Sequence, residues 1–159
     1  MPCDVFYNDT LFLACDDSGS FCSSFTFYCV YKTITQNKIY EFPTFNNLQE
    51  FQKEWYGSTK ESKETQCLYA LKKIGCGNRI NFESAVAGDF VQFWRNNKTG
   101  HSVIFLNWIK DERGKIKGLR YRSSQKLTNG IGEREEFFGL EKKEINVKRT
   151  YIVRLKSKK

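Results

Sequence analysis

The chain has 159 residues, of which 40% are hydrophobic and 28% charged, and its formal net charge is +8. This length suits a single domain over residues 1–159 with a sizeable core. No stretch approaches the roughly 20 apolar residues of a membrane-spanning helix, so we expect no membrane span. Residues 1–9 lack the basic start and apolar run of a secretory signal. We therefore expect a protein that acts where it is made, leaves by another route, or has lost a leader.

Positive charge is concentrated in the C-terminal third of the chain. Such a field favours polyanionic partners, namely nucleic acid, an anionic membrane or an acidic cell-wall polymer. Most of these basic residues alternate with apolar ones, as in residues 115–117 and 147–149. That alternation is typical of the solvent-facing side of a strand. The charge therefore identifies no partner.

The six cysteines have an informative spacing. No C-x-x-C occurs, and the separations of Cys15 from Cys22, Cys22 from Cys29, and Cys67 from Cys76 suit no familiar zinc site. A single histidine excludes a multi-histidine metal centre. The pattern argues against a metalloenzyme and leaves disulfide pairing open.

Hydrophobic periodicity divides the chain into helices followed by strands. Helix-like spacing predicts helices over residues 22–35, 46–57 and 63–75, the latter two ending at a glycine. Period-two patterns predict strands over residues 88–95, 101–109, 115–124, 133–140 and 145–155. The polar stretch 110–115, which contains Gly114, predicts a hairpin turn. The expected fold class is α+β, with helices packed on an antiparallel sheet.

Cys22 is the candidate nucleophile. It follows the small polar residues Gly19 and Ser20, at the start of the first predicted helix. The free N–H groups and positive dipole of a helix N-terminus stabilise a thiolate and an oxyanion. Cys29 lies two turns further on and is expected to be buried. The alternative role for Cys22 is inert packing.

His101 must be the base if Cys22 reacts, because the chain has no other histidine. It lies at the start of a predicted strand, where side chains are reachable. If the hairpin centres near residue 113, Gln125 lies opposite His101 and its amide oxygen can fix the ring tautomer, as Asn does in papain-like sites. Ser124 and Ser123 are substitutes for this third member. A polar cap or a hydrogen-bonded core residue is the alternative role for His101.

Three short motifs follow one another along the chain, and their order indicates a family resemblance: Phe-Cys-Ser-Ser at 21–24, Gly-Asp-Phe-Val at 88–91 and Gly-His-Ser-Val-Ile at 100–104. Over roughly residues 17–125 the chain resembles the NlpC-type papain-like peptidase superfamily, whose relatives include CHAP amidases and secreted peptidoglycan amidase effectors. The resemblance implies an NlpC-like α+β fold. It also implies a cysteine hydrolase that cleaves amide bonds in bacterial cell-wall peptides through a thioester.

The resemblance also implies roles and surroundings. Cys22 would be the nucleophile, His101 the general base and acid, and Gln125 or a neighbouring polar group the orienting residue. The expected partner is the peptidoglycan peptide stem, with no nucleic acid and no metal or organic cofactor. The implied location is secreted, periplasmic or cell-wall associated, with the cytoplasm left open. Other members act as acyltransferases, lipid-modifying enzymes or deamidases.

The competing interpretation is a non-catalytic basic binding module. Tyr121, Phe137 and Phe138 on a basic sheet would stack on single-stranded nucleic acid, although no nucleic-acid motif is present. A degenerate relative that binds cell wall without cutting it is a third alternative, against which the intact Cys22–His101 pair argues. Trp94, Trp108 and Tyr121 either line a cleft or pack in the core.

Overall fold

A computed structural model describes residues 4–13 and 21–158, so Gly19 and Ser20 lie outside the described residues. The helices are α1 (Cys22–Gln36), α2 (Phe45–Trp55) and α3 (Cys67–Lys73). The strands are β1 (Val5–Tyr7), β2 (Thr10–Leu13), β3 (Gly77–Arg79), β4 (Phe90–Arg95), β5 (Gly100–Lys110), β6 (Ile116–Gln125), β7 (Gly130–Phe137) and β8 (Ile145–Leu155). Short 3₁₀ turns occur at Phe82–Ser84 and Lys126–Thr128. The predicted α+β class is confirmed.

A side-chain cap and two glycines mark the ends of α2 and α3. The Thr44 hydroxyl caps α2 by accepting the Asn47 N–H at 3.1 Å. Gly57 follows α2 with a φ of +69° and Gly75 follows α3 with a φ of +75°, a conformation that glycine adopts without steric cost. The predicted helix over 63–75 is wrong at its start, because residues 60–66 form turns and α3 begins at Cys67.

Strands β3 to β8 form one antiparallel sheet in the order β3-β8-β4-β5-β6-β7. The β5–β6 hairpin turns over residues 111–115, as the polar stretch predicts. The small β1–β2 hairpin was not predicted from the sequence. Its turn residues Asn8 and Asp9 both have positive φ, at 45° and 63°, and Asn and Asp tolerate that region better than most residues.

Two hydrophobic cores lie on the two faces of this sheet. The helix-side core includes Phe27, Leu48 and Trp55, packed against the sheet residues Phe90 and Val153. The second core covers the opposite face. Its members are Val91, Phe93, Val103, Phe105, Leu119, Tyr121, Ile145 and Ile152, with Phe82, Trp108 and Phe138 packed against them. Neighbouring strand residues such as Phe90 and Val91 therefore serve different cores, as strand alternation requires.

None of the helices in the described ranges is both long and apolar enough to cross a membrane.

Candidate active site

Cys22 is the first residue of α1 and is half-buried. The preceding Phe21 has an extended backbone (φ −77°, ψ 160°), and its side chain caps no helix N–H. The first backbone hydrogen bond of the helix runs from the Phe25 N–H to the Phe21 carbonyl at 3.0 Å. The N–H groups of the first turn lack intrahelical acceptors. Cys22 therefore lies at the positive end of the helix dipole.

The other described thiols are packing residues. Burial raises the pKa of Cys29 to about 11 and the pKa of Cys67 to about 12, and it also raises the pKa of Cys76. Thiols with raised pKa values stay protonated at neutral pH and are poor nucleophiles. Cys29 is half-buried rather than fully buried. Cys22 is therefore the best-placed nucleophile among the described cysteines.

Thr26 fixes the start of α1 over the start of β5. Its hydroxyl donates to the Cys22 carbonyl at 3.1 Å and shares a buried hydrogen bond of 2.8 Å with the Ser102 hydroxyl. The Trp55 indole N–H donates to the same oxygen at 3.0 Å. These contacts place the first turn of α1 at the end of the sheet where β5 begins.

His101 lies at this same end but on the other face of the sheet. Because Ser102 faces the helices and strand side chains alternate, His101 faces the second core. Its ring centroid is 5.7 Å from that of Phe93 and 5.5 Å from that of Tyr121. Cys22 and His101 therefore belong to opposite faces of the sheet, and the Cys22 thiol contacts the Ser23 hydroxyl at 3.8 Å and forms no hydrogen bond with His101 within the described residues.

Gln125 ends β6 beside His101. The observed β5–β6 pairing runs from Lys110–Ile116 to Ile104–Arg122. The predicted pairing of His101 with Gln125 lies three residues beyond the last observed pair and stays a prediction. A hydrogen-bonding contribution from Gln125 raises the pKa of His101. The buried Gln125 Nε2, like His101 Nε2, has no hydrogen-bond partner among the described residues.

His101 is nevertheless held neutral at neutral pH. Burial lowers its pKa from 6.5 to about 4, and the positive charges of Arg95 and Arg134 act in the same direction. The charge of Glu136 and the contact with Gln125 oppose them without reversing the shift. The His101 Nε2 atom is buried and has no hydrogen-bond partner within the described ranges. A neutral imidazole retains one acceptor nitrogen, which is what a general base needs.

A buried network that was not predicted from the sequence supports this pair. Arg95 donates to both carboxylate oxygens of Glu136, from Nε at 2.8 Å and from Nη2 at 2.5 Å. The Tyr121 hydroxyl lies 2.7 Å from Glu136 Oε1 and 3.3 Å from Gln125 Oε1. Burial would raise the pKa of Glu136, but hydrogen bonds from Arg95 and Tyr121 hold it below its usual value. We call Arg95, Glu136, Tyr121 and Gln125 the inner network.

Arg95 is the positive centre of this network. Burial would lower its pKa, but the hydrogen bond and charge of Glu136 raise it. The same guanidinium lowers the pKa of His101.

The two serine substitutes are placed differently from Gln125. The Ser123 hydroxyl donates to the Ser102 carbonyl at 2.8 Å, so it already has a backbone acceptor. Ser124 is buried, and strand alternation turns it toward the helix-side face, away from His101. Of the three predicted third members, Gln125 is the one that contacts the His101 ring.

The aromatic candidates are mainly structural. Tyr121 is fully buried, and Trp108 is partly buried and packs against the second core. Trp94 donates its indole N–H to the Glu64 carbonyl at 2.8 Å. Phe138 packs against the second core while Phe137 is half-exposed. The stacking surface predicted for a binding module is wrong in its Tyr121 component.

Asp89, from the Gly-Asp-Phe-Val motif, forms a structural ion pair with Arg154. Its carboxylate is almost fully buried and accepts two hydrogen bonds of 2.8 Å from Arg154. It also accepts the Val86 N–H at 2.9 Å, which closes the turn into β4.

The sequence gives a weak indication that Arg95 and Glu136 are buried and paired. Each falls at the inward position of a strand: Arg95 comes two residues after Phe93, and Glu136 pairs with the buried Leu119. A charged residue in such a position requires a partner. The sequence does not say which one, because 41 residues separate these two.

No group of three or more His, Cys, Asp and Glu side chains in the described part of the chain is arranged to hold a metal ion. Comparison of the chain with protein-family models, with curated proteins and with solved structures gave no match.

Proposed function

We propose that the protein is a cysteine hydrolase with an NlpC-like, papain-type fold that cleaves amide bonds in bacterial cell-wall peptides. The observation that carries this proposal is the state of His101. It is a buried, neutral imidazole that contacts Gln125, keeps an unpartnered Nε2 within the described residues, and lies at the sheet end where α1 begins. A histidine that serves only as a core residue would be expected to have its ring nitrogens paired.

The chemistry assigned to these residues is that of a thiol hydrolase. For His101 to accept the Cys22 proton as Sγ attacks the peptide carbonyl carbon, the two side chains must meet around the end of the sheet, because they lie on its opposite faces. The N–H groups of the first turn of α1 then stabilise the oxyanion. The C–N bond then breaks and His101 returns the proton to the leaving amine. Water, deprotonated by His101, attacks the thioester, which releases the acid and restores the Cys22 thiol. Gln125 keeps the ring in one tautomer.

The cell-wall substrate comes from the motif resemblance, and the amide chemistry comes from the site. A secreted, periplasmic or cell-wall location follows from that substrate. The net charge of +8 is consistent with attraction to an anionic wall polymer.

Digestion of purified peptidoglycan tests the proposal. Wild type, Cys22→Ala and Cys29→Ala are incubated with it, and the soluble fragments are identified by mass spectrometry. We expect new muropeptides from wild type and Cys29→Ala and none from Cys22→Ala, since Cys29 lies on the same helix but is held protonated. Release of the same fragments by Cys22→Ala would refute the assigned nucleophile, and no release by wild type would refute the substrate.

A further inference from the structure

Two arginines share the one buried carboxylate of the inner network. Arg95 donates to both oxygens of Glu136, and Arg134 places its Nη1 atom 3.6 Å from Glu136 Oε1. Burial would raise the pKa of Glu136, but hydrogen bonds from Arg95 and Tyr121 hold it below its usual value, so the carboxylate is ionised at neutral pH. Two positive charges against one negative charge leave an excess of one positive charge here.

Arg134 has most of its hydrogen-bonding capacity unused. Its side chain is 34% exposed, and its contact with Glu136 is longer than a hydrogen bond. The guanidinium donates to no other group within residues 4–13 and 21–158. A guanidinium carries its N–H donors in a planar fork that matches the two oxygens of a carboxylate. Glu136 already fills the fork of Arg95, whereas the fork of Arg134 is open to a ligand from solvent.

Arg134 lies on the same face of the sheet as His101. It pairs with Tyr121 across β6 and β7, and directly opposed residues of an antiparallel pair point to the same face. The Tyr121 hydroxyl donates at 2.7 Å to the same Glu136 oxygen that Arg134 approaches. The Tyr121 ring centroid is 5.5 Å from that of His101. Tyr121 therefore contacts both the Arg134–Glu136 pair and the candidate base.

Unpaired polar atoms on this face also favour an anion. The Nε2 atoms of His101 and Gln125 are buried, and neither has a hydrogen-bond partner among the described residues. Gln125 belongs to the same cluster, because its Oε1 atom lies 3.3 Å from the Tyr121 hydroxyl. A buried donor without an acceptor is rare in folded proteins and requires an explanation. An unused guanidinium fork, an excess positive charge and an unpaired donor all match a negatively charged acceptor.

We propose that Arg134 binds a carboxylate of the substrate, in a subsite next to His101 where Glu136 leaves one positive charge uncompensated. The inference rests on the proposed function, because the carboxylate belongs to the peptide that Cys22 and His101 would cut. A peptide offers such a group at its C terminus and on acidic side chains. A carboxylate fits better than a dianionic phosphate, because its single negative charge neutralises the excess and both of its oxygens match the fork.

A bound carboxylate also acts on the base. Burial and the positive charges of Arg95 and Arg134 lower the pKa of His101 to about 4. A negative charge held by Arg134 offsets part of this effect, so the pKa of His101 rises toward the pH at which a general base works best. Substrate binding and the strength of the base are coupled in this way through Arg134.

The opposite face of the same two strands offers a matched control. Glu133 forms ion pairs with Arg120 and, at 3.8 Å, with Arg122, so two arginines again share one carboxylate. The Arg122 side chain is 46% exposed. Arg122 pairs with Glu133 directly beside the Tyr121–Arg134 pair, and strand alternation turns it away from His101.

The test is an acetate titration at pH 6 followed by NMR, with acetamide as the neutral probe of the same shape. The chain has a single histidine, so the Hε1 resonance of His101 is assigned without ambiguity. Wild type, Arg134→Gln and Arg122→Gln are titrated at constant ionic strength. We expect the resonance to move saturably toward its protonated position in wild type and Arg122→Gln, with a Kd of roughly 1–50 mM for so small a ligand. Arg134→Gln should bind acetate at least about tenfold more weakly.

Equal acetate affinity in Arg134→Gln and wild type would overturn the proposal, as would an equal response to acetamide or an equal loss of affinity in Arg122→Gln. If Arg134→Gln does not fold, Arg134→Lys replaces it. It keeps the charge without the fork, and we expect its Kd for acetate to rise about threefold or more. An unchanged Kd there contradicts the proposal.

The titration needs no turnover, so the two proposals can fail separately. Saturable acetate binding through Arg134 in a protein that releases no muropeptides contradicts the proposed function alone. Muropeptide release by a protein whose His101 resonance ignores acetate contradicts the carboxylate subsite alone.

Discussion

Two Arg–Glu–Tyr clusters, the inner network and the outer network of Glu64, Arg149 and Tyr151, show what the same three residue types do in two environments. In each, a carboxylate accepts two hydrogen bonds from an arginine and one from a tyrosine. The outer network is partly exposed and fastens turns to the helix-side face of the sheet. The inner network is buried and leads through Gln125 to His101. The difference teaches that burial and neighbours, and not residue types, distinguish a cluster that joins surface turns to the sheet from one that lies beside the proposed active site.

Because His101 is buried beside the inner network, we expect this region to contribute more to the pH dependence of the free energy of unfolding than the outer network does. The unfolded chain takes up a proton near the ordinary histidine pKa of 6.5, whereas the folded protein resists protonation until pH is about 4. This contribution to stability is complete above pH 6.5 and is lost as pH falls toward 4. We expect the free energy of unfolding of wild type to fall by about 2–3 kcal/mol between pH 7 and pH 4.5 from this group.

Urea unfolding of wild type, His101→Gln and Glu64→Gln at both pH values checks this expectation. His101→Gln should lose much less stability on acidification than wild type. Glu64→Gln should retain the wild-type loss, because interactions with Arg149 hold the pKa of Glu64 below its usual value and it titrates at lower pH. Equal acid losses in wild type and His101→Gln would mean that His101 is not held neutral by burial.

A smaller effect separates the two tyrosines. Tyr121→Phe and Tyr151→Phe each delete one hydroxyl that binds a carboxylate, and each should cost about 1–2 kcal/mol of unfolding free energy. We expect kcat for muropeptide release to fall about tenfold in Tyr121→Phe alone, since Gln125 then loses the hydroxyl beside it. KM should change little in either variant. Equal kcat values for the two variants would show that the inner network is as purely structural as the outer one.

Local patterns explain why much of the fold was predictable. In α2 the apolar residues recur at helical spacing between a threonine cap and a glycine stop. The β5–β6 hairpin was placed by its polar turn, and its register follows once the centre of that turn is fixed. These signals lie within a few residues of one another, which is the range over which periodicity and turn chemistry act.

The unpredicted features depend on contacts distant in the chain or on unusual backbone. The start of α3 is displaced because Gln66 has a φ of +43°, a conformation that breaks the helical run at Cys67. Arg95 reaches Glu136 across 41 residues, and no local pattern encodes that pairing. Cys22, His101 and Gln125 could be nominated from motif order and hairpin spacing. The network that supports them required the folded sheet.

The central claim is that Cys22 and His101 work as a pair, and site-resolved labelling tests it most directly. The rate of Cys22 alkylation at pH 7 is compared between wild type and His101→Ala, with Cys29 in the same digest as a reference. Wild-type Cys22 should react several times faster than Cys22 in His101→Ala, because the imidazole removes its proton as sulfur attacks, while Cys29 reacts slowly in both. Identical Cys22 rates in the two folded proteins would contradict the account.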